Sequence, residues 1–244
     1  MSHKVETFPN DTLSYVVHDK TGEEILIELK QIDPQSTFLS EQFNEYSEIL
    51  AEAYMPVEKQ FAMQFPESIG KDMFLNTLEP LFKNGLSNVN WNFAEEKIRA
   101  ILRLFFAEGF AKSMVVNKEV CAAYDHLIVT AKNKETKAPL GIIYFFISKE
   151  QPQSNVRVPV FGIAPKNQNR GLGKLLMSSI LNQFPETKKI LLSTRITNEK
   201  ALNAYRTWGF AETQNMMEYW VNMECEIEKS PALKKLQNHT PFKR

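Results

Sequence analysis

The chain has 244 residues, enough for one large domain or two small ones with a sizeable core. Its 29 basic residues balance its 29 acidic residues, so charge gives no sign of nucleic acid or an anionic membrane as partner. The sequence has two cysteines far apart, a polar N-terminus without a visible signal peptide, and no apolar run near the ~20 residues that span a bilayer. These features predict a cytoplasmic protein that does not act at a membrane.

The first half of the chain has two strand patterns followed by a long helical region. Residues 12–18 and 24–31 are predicted to be strands, and residues 19–22 between them have turn composition. A β-hairpin is therefore expected at the start. Residues 36–116 are predicted to be mainly helical.

Prolines and glycines divide this helical region into segments. Ser36 or Thr37 can cap a first helix, which is expected to end at Pro56. Its apolar stripe comprises Leu39, Phe43, Tyr46, Leu50 and Ala53. Further segments are predicted at 72–82 and 94–114. The apolar residues of the last segment are assigned to the core: Ile98, Ile101, Leu102, Phe105, Phe106 and Phe110.

The second half alternates strands and helices. Strands are predicted at 122–131, 139–148 and 189–194, and the second of these is apolar on both faces, as in a central strand. Asn198 is expected to cap a helix that ends at Gly209. The chain then closes with two strands and a polar segment, which is frayed or a short helix: residues 210–213, 217–223 and the tail from 228.

A strand, a loop and a helix follow one another directly between Val156 and Phe184. Val156, Val158 and Val160 alternate as in a strand. The loop contains two glycines and the basic residues Lys166, Arg170 and Lys174; the helix after it carries a stripe of Leu172, Leu176, Ile180 and Phe184. Such a loop directs several backbone N–H groups and the positive end of the helix dipole to one point. The sequence therefore predicts an anion site, most simply for phosphate.

Two common phosphate loops do not fit this segment. A Walker loop needs Ser or Thr after its lysine, but Lys174 is followed by Leu175. A dinucleotide fingerprint needs three glycines, and only Gly171 and Gly173 are present, without repeated strand–helix units after them.

The motif that is present is Gln168-x-x-Gly171-x-Gly173, shortly after Ile163-x-Pro165. It resembles the pyrophosphate loop of the GNAT superfamily of N-acetyltransferases. Residues 198–210, Asn-x-x-Ala-x-x-x-Tyr-x-x-x-Gly-Phe, resemble the second signature of the same superfamily, at the expected distance. The resemblance covers roughly residues 23–55 and 95–223.

The resemblance implies an α/β (α+β) fold with a mixed, mostly antiparallel central sheet. Two parallel strands splay apart in a V, and helices cover both faces. Residues 1–228 would form a single domain with a helical insertion around 56–95, followed by a polar tail at 229–244. The enlarged helical region after the first strand would shape the acceptor pocket, as a lid or a dimer surface, or would only enlarge the core.

The resemblance also assigns the binding residues for acetyl-CoA. Backbone groups of Phe161 and Ile163 would pair with the pantetheine amides, and an N–H of Phe161 or Gly162 would hold the thioester oxygen. The residues matched to the phosphate cradle are Gln168, Asn169, Arg170, Gly171, Leu172, Gly173 and Lys174. Asn169 replaces the usual glycine but tolerates left-handed dihedrals. Asn198 would touch the pantetheine arm beside the small Ala201.

Tyr205 matches the general acid that protonates the leaving thiolate. The acceptor is an amine of a small molecule or a protein, no metal is implied, and a homodimer is left open. No glutamate occupies the strand that often carries the general base, so the base is unassigned, with Asp125, His126 and Glu150 as candidates. Two alternatives remain: a CoA-binding regulatory or interaction module that has lost the chemistry, and transfer of a longer acyl group.

Overall fold

The computed structural model of the chain describes residues 12–33, 39–68, 80, 87, 89–109, 122–151, 155–213 and 218–237. Its strands are β1 (Leu13–His18), β2 (Glu24–Ile32), β3 (Tyr124–Asn133), β4 (Pro139–Ser148), β5 (Asn155–Ile163), β6 (Lys189–Arg195), β7 (Ala211–Glu212) and β8 (Trp220–Glu226). Its helices are α1 (Leu39–Gln64), α2 (Trp91–Leu104), α3 (Leu172–Gln183), α4 (Glu199–Thr207) and α5 (Pro231–Gln237). A π-helical turn, Phe105–Gly109, continues α2.

The strands form one mixed sheet in the order β1-β2-β3-β4-β5-β6-β8-β7. The predicted hairpin is confirmed, since β1 pairs antiparallel with β2. Among the described strands, β5 and β6 are the parallel pair and the other neighbours are antiparallel. The chain therefore has the predicted mixed, mostly antiparallel sheet.

The sheet separates two apolar cores. Helices α3, α4 and α5 cover one face, where Leu176, Ile180 and Leu202 are buried against strand residues. Helices α1 and α2 cover the other face, with Leu50 and Ile98 among the buried residues. Helices thus lie on both faces, because each amphipathic helix buries its apolar stripe against one side of the sheet.

A bulge in β5 changes which face its side chains occupy. Tyr144 of β4 pairs with Val160 and Phe146 pairs with Arg157, so β5 contains one extra residue in this interval. Val158 packs into the core under α3, whereas Val160 packs into the core under α1. The simple alternation from Val158 to Val160 therefore does not keep both side chains on one face.

The parallel pair separates just beyond this bulge. Residues Asn155 to Val158 of β5 pair with Lys189 to Leu192 of β6. Both strands continue, β5 to Ile163 and β6 to Arg195, without pairing to each other. The result is the V-shaped gap that the resemblance implied, with the two open strand ends as its walls.

Helix α1 is longer than the sequence predicted. Pro56 lies inside the helix, which continues to Gln64, so the prediction that Pro56 ends it was wrong. A proline within a helix costs about 3 kcal/mol because a backbone hydrogen bond is lost. Burial of Leu50 on one side of the proline and of Phe61 on the other offsets this cost, since both side chains are fully enclosed.

Several sequence predictions lie outside the described residues: the caps Ser36 and Thr37, the segment 72–82 apart from Pro80, and the end of the 94–114 helix. For the segment after Glu228, the short helix is the alternative found. It packs against α3 with Leu233 buried in the core on that side, and Ser230 Oγ donates a hydrogen bond of 2.5 Å to the Trp208 carbonyl. None of the described helices is both long enough and apolar enough to cross a membrane.

Candidate functional site

Two backbone groups of β5 face the gap between β5 and β6. The Phe161 N–H donates to the Tyr54 hydroxyl at 3.4 Å, and the Ile163 carbonyl accepts from Gln168 Nε2 at 3.3 Å. The N–H of Ala164, by contrast, donates to Leu140 at the start of β4. Because alternate strand residues direct their backbone groups to opposite sides, Phe161 and Ile163 present theirs to the open side. This is the arrangement an extended amide-containing ligand requires.

The loop at the wide end of the gap has the backbone conformation of an anion cradle. Asn169 has φ 65° and Gly171 has φ 86°, so both occupy the left-handed region. The prediction that Asn169 tolerates this conformation is confirmed. Gly171 is the N-cap of α3 and offers no side chain to the first N–H groups of the helix. Those donors, at the positive end of the dipole, suit a phosphate.

Arg170 holds this loop to the β1–β2 turn. Its Nε donates to Asp19 Oδ2 at 2.6 Å, and its guanidinium also forms an ion pair with Glu23. The Lys20 N–H donates to the Arg170 carbonyl at 3.1 Å. The side chain of Arg170 is therefore engaged within the protein, and its direct contribution to the loop is structural support. Lys174, by contrast, is exposed.

Asp19 is the centre of this support. Its side chain is buried and accepts hydrogen bonds from the Thr21 N–H and hydroxyl, the Glu23 N–H and Arg170. Burial alone would raise the pKa of Asp19, but these hydrogen bonds outweigh burial and lower the pKa to about 2. The turn is thus stabilised by a carboxylate that must remain charged.

Replacing Asp19 by asparagine is expected to remove a pH-dependent stabilisation. The folded pKa of about 2 lies below the ordinary value of 3.8, so the stabilisation is complete above about pH 4 and is lost as the pH falls towards 2. We expect a loss of about 1–2 kcal/mol at neutral pH, because water at the surface turn reduces the effect. Urea unfolding of both proteins measures it: the difference in stability should shrink below about pH 4. A difference independent of pH would contradict the role of the charge.

Tyr205 lies beside the gap. It is 7% exposed, and its ring contacts the rings of Phe161, Trp208 and Phe210 at centroid distances of 6.4, 5.9 and 5.6 Å. Its hydroxyl has no hydrogen-bond partner among the described residues. Burial raises the pKa of Tyr205, and the nearby Tyr54 raises it further. The hydroxyl therefore stays protonated at neutral pH and is available to a ligand.

Tyr54 is the residue at this gap that the sequence analysis missed. It follows Ala53, the last residue of the predicted stripe of α1, and lies two residues before Pro56, where the helix was expected to end. The glycine at position 162 allows α1 to lie close to β5, since a Cβ there would lie 2.8 Å from Leu50 Cδ2 and 3.4 Å from Ala53 Cβ. The signal that could have revealed Tyr54 is the helical spacing of Tyr54, Glu58 and Phe61, which continues past Pro56.

The other predicted residues have local roles in the structure. Asn198 caps α4, with its Oδ1 accepting from the Ala201 N–H at 3.3 Å and its Nδ2 donating to Thr194 Oγ1 at 3.0 Å. Gly173 packs tightly, since a Cβ there would lie 3.3 Å from the Trp208 ring and 3.5 Å from the Phe161 ring. Leu172 is buried under the loop.

The three candidate bases do not line the gap. His126 is buried on β3, where its Nδ1 lies 2.6 Å from the Tyr144 hydroxyl. Asp125, also on β3, accepts from Gln31 Nε2 at 3.3 Å, and Glu150 is exposed just after β4. Strand β3 is two positions from β5 in the sheet, roughly 10 Å at the usual strand spacing. The structure thus brings Tyr205 and the loop to the gap, but not these carboxylates or this imidazole.

A buried ion pair lies on the β6 side of the gap. Glu58 of α1 accepts two hydrogen bonds from Arg195, at 3.0 and 2.9 Å, and the two side chains are 0% and 2% exposed. The guanidinium of Arg195 stacks between the rings of Phe61 and Trp220, at 4.1 and 4.4 Å. Helix α1 therefore contacts both walls of the gap, β5 through Tyr54 and β6 through Glu58.

Two surface clefts of the described region lie elsewhere. One of about 460 Å³ is lined by Ile196, Glu199, Leu202, Asn203, Arg206, Glu212 and Val221. The other, of about 360 Å³, is lined by Glu23, Glu24, Asn133 and Glu135. No group of His, Cys, Asp or Glu suited to a metal ion occurs in the part of the chain that the structure describes.

Known proteins resemble this chain over part of its length. Residues 95–210 match the model of the Acetyltransferase (GNAT) family. No match was found among curated proteins. Similar solved structures include the PaiA N-acetyltransferase of Thermoplasma acidophilum in complex with coenzyme A, at 14% identity and a TM-score of 0.48, covering 82% of this chain and 98% of that one. A spermidine N-acetyltransferase of Vibrio cholerae in complex with CoA and spermine has 20% identity and a TM-score of 0.37, covering 49% and 76% of the two chains.

The matched segment contains helices α3 and α4, the splayed strand β5, the loop before α3 and Tyr205. Both sequence motifs that suggested the resemblance lie inside it. The resemblance is therefore confirmed for this segment: residues 95–210 match the model of the GNAT acetyltransferase family.

Proposed function

We propose that the protein is an acetyl-CoA-dependent N-acetyltransferase that transfers an acetyl group to an amine by direct attack. The observation that carries this proposal is the gap between β5 and β6. It has the gap-facing backbone groups of Phe161 and Ile163 in its wall, the left-handed loop at its entrance and the Tyr205 hydroxyl beside it.

The loop before α3 would bind the pyrophosphate of acetyl-CoA. Backbone N–H groups from Gly171 onward and the α3 dipole would contact the phosphate oxygens, and the exposed Lys174 would add a positive charge. Arg170 would act indirectly, by holding the loop to Asp19 and Glu23. A pantetheine amide would replace Gln168 as the partner of the Ile163 C=O, and the thioester oxygen would replace Tyr54 as the acceptor of the Phe161 N–H.

In the proposed reaction the lone pair of a neutral amine attacks the acetyl carbonyl carbon, and the carbonyl π electrons move to oxygen. The Phe161 N–H would stabilise the negative charge that develops on this oxygen. When the carbonyl re-forms, the carbon–sulfur bond breaks and the sulfur takes the proton of Tyr205. The attacking nitrogen gives up its extra proton to water, and water returns a proton to Tyr205. A thiol has a pKa near 8.5, so its anion leaves more easily when a proton is supplied.

The amine must lose a proton before or during attack, because an alkyl ammonium titrates near pH 10.4. Asp125 and His126 lie on β3, two strands from β5. Glu150 follows the end of β4, which pairs with the start of β5 and not with its open end at Ile163. We therefore expect water to carry it out of the gap. The net change is one acetyl group moved from sulfur to nitrogen and one proton released.

Ligand-dependent unfolding tests the proposal. At a ligand concentration about 100 times the Kd, acetyl-CoA or CoA should add roughly 2.7 kcal/mol, which raises the Tm by about 5–10 °C for a chain of this size. Turnover is then measured with a panel of polyamines, aminoglycosides, amino acids and peptides. Binding without turnover of any amine, and without slow hydrolysis, would favour the CoA-binding module instead.

A matched pair of variants shows whether the loop is the phosphate site. Gly173→Asp and Gly173→Asn crowd the Trp208 and Phe161 rings equally, since aspartate and asparagine have nearly the same size. Only aspartate adds negative charge, so it should weaken CoA binding at least about 10-fold more than asparagine does. Equal affinities of the two variants would place the phosphates elsewhere.

A further inference from the structure

The hydroxyl of Tyr54 lies next to the Phe161 N–H of β5, the group that would hold the thioester oxygen in the proposed function. It accepts the Phe161 N–H at 3.4 Å, which is long for a hydrogen bond and therefore easily exchanged. Its own O–H proton has no acceptor among the described residues. A partly buried donor without an acceptor, next to a backbone donor that faces the same space, is suited to a ligand oxygen that can accept from both.

The position of Tyr54 depends on two neighbours. Gly162 lets α1 approach β5, so that a Cβ at this residue would already lie 3.7 Å from Tyr54 Cε2. On its other side, the ring of Tyr54 packs edge-to-face against Phe106 at 5.1 Å. Phe106 belongs to the π-helical turn after α2, a rare conformation that occurs frequently at functional sites. The ring is therefore held in place without any contribution from its hydroxyl.

We propose that Tyr54 donates a second hydrogen bond to the thioester oxygen, so that its hydroxyl and the Phe161 N–H together form the oxyanion hole of the acetyl transfer. This inference rests on the proposed function. On binding, the thioester oxygen takes the place of the Tyr54 oxygen as acceptor of the Phe161 N–H, and the Tyr54 hydroxyl turns its proton to the same oxygen.

The two tyrosines at the gap then have different roles. When the amine attacks, the carbonyl π electrons become a lone pair on oxygen, and Tyr54 stabilises that charge without giving up its proton. When the carbonyl re-forms, the carbon–sulfur bond electrons move to sulfur, and Tyr205 transfers its proton there. Tyr54 is restored unchanged, whereas Tyr205 must be reprotonated by water.

The surroundings of Tyr54 keep it a donor. Burial raises the pKa of Tyr54 to about 12, which the Phe161 hydrogen bond lowers and the nearby Glu58 raises. The phenol thus remains protonated throughout the range in which an amine acceptor is active. A donor fixed in a site with little water needs no reorganisation as charge develops, which is the condition under which oxyanion stabilisation is strongest.

The test compares Tyr54→Phe with Tyr46→Phe. Tyr46 lies about two turns earlier on α1, is largely buried, and has its hydroxyl near Glu45 and Lys132 instead of the gap. We expect Tyr54→Phe to lower kcat about 10–100-fold, at most the effect of removing one oxyanion donor, and to leave the Kd for CoA unchanged. Tyr46→Phe should leave kcat unchanged. If no amine is turned over, the rate of slow acetyl-CoA hydrolysis gives the same readout, since hydrolysis also places a negative charge on the thioester oxygen.

The infrared carbonyl band of bound, isotope-labelled acetyl-CoA provides a readout that does not depend on turnover. Hydrogen bonds to a carbonyl oxygen lower its stretching frequency, so the band should lie at higher frequency in Tyr54→Phe than in the wild type and in Tyr46→Phe. Unchanged kcat and an unchanged band in Tyr54→Phe would overturn the inference while leaving the acetyltransferase proposal intact. Higher acetyl-CoA affinity together with higher kcat would overturn it too, because Tyr54 would then be a competitor for the Phe161 N–H. A wild-type protein that neither binds nor turns over acetyl-CoA would refute both.

Discussion

Replacing Tyr205 by phenylalanine is expected to lower kcat about 100-fold or more while leaving the affinity for acetyl-CoA close to that of the wild type. The change removes only the hydroxyl. Because that hydroxyl has no hydrogen-bond partner among the described residues, its loss leaves no buried group unpaired. The ring contacts with Phe161, Trp208 and Phe210 remain, so the stability of the protein should be unaffected.

A matched control for this prediction is Tyr15→Phe. Tyr15 packs against the same core as Tyr205, and its hydroxyl lies 2.6 Å from Ser179 Oγ, away from the gap. Its replacement should cost about 1 kcal/mol of stability and leave kcat unchanged. Steady-state kinetics of both variants, with a separate binding measurement, distinguishes loss of the acid from loss of packing. Unchanged turnover in Tyr205→Phe would remove the acid assignment.

The raised pKa of Tyr205 also predicts the pH dependence of the wild type. A protonated acid is available far above neutral pH, because burial and Tyr54 hold the pKa above its ordinary value of 10.0. The turnover number should therefore rise with pH as the amine loses its proton, and should not fall between about pH 7 and 9. In Tyr205→Phe the turnover number should be lower but should still increase with pH, since the increase comes from deprotonation of the acceptor amine.

The local elements of this fold could be predicted from the sequence because they depend on neighbouring residues. Helix α3 follows a loop whose left-handed positions are occupied by Asn169 and Gly171. Asn198 supplies the side chain that caps α4, and Gly209, at φ 92°, ends it. In each case one residue supplies the dihedral angle or the capping hydrogen bond that the backbone needs at that position. The element could therefore be predicted without knowing how the rest of the chain folds.

Features that depend on distant contacts could not be predicted in this way. Helix α1 continues through Pro56 because apolar side chains on both sides of the proline are buried. That burial is visible only in the folded chain. The extra residue of β5 reverses the facing of Val160, although the apolar alternation in the sequence continues without a break. The ion pair between Arg170 and Asp19 joins residues about 150 positions apart in the sequence, so no local pattern predicts it.

The gap contains both residues that belong to local sequence motifs and residues that reach it only through distant contacts. Its loop and Tyr205 belong to sequence motifs, whereas Tyr54 and Glu58 reach it from α1, which lies more than a hundred residues earlier in the chain. No local pattern connects an ordinary helical tyrosine with the N–H of Phe161. The motifs therefore predicted the side of the gap that contains the loop and Tyr205, while the side formed by α1 required the folded structure.

Replacing Glu58 by glutamine is expected to destabilise the protein by about 3–5 kcal/mol, because the charge of Arg195 then remains buried without its carboxylate. Both side chains are almost completely enclosed, so water cannot replace the lost partner. For a chain of this size the corresponding fall in Tm is roughly 10 °C. Thermal and urea unfolding measure the effect. The exposed pair of Arg103 and Glu48 provides the control, since Glu48→Gln should change stability by less than about 1 kcal/mol.

The double variant Glu58→Leu/Arg195→Met separates the stability of the ion pair from its function. Methionine can fill the space between the Phe61 and Trp220 rings, so the double variant should recover most of the stability lost in Glu58→Gln. Its activity should nevertheless stay low, because α1 would no longer be tied in one orientation to the end of β6, and the hydroxyl of Tyr54 would lose its fixed position beside β5. Recovery of both stability and full kcat would show that apolar packing alone holds the gap open. If the double variant is as unstable as Glu58→Gln, the attraction between Glu58 and Arg195 must exceed the free-energy cost of burying both charges.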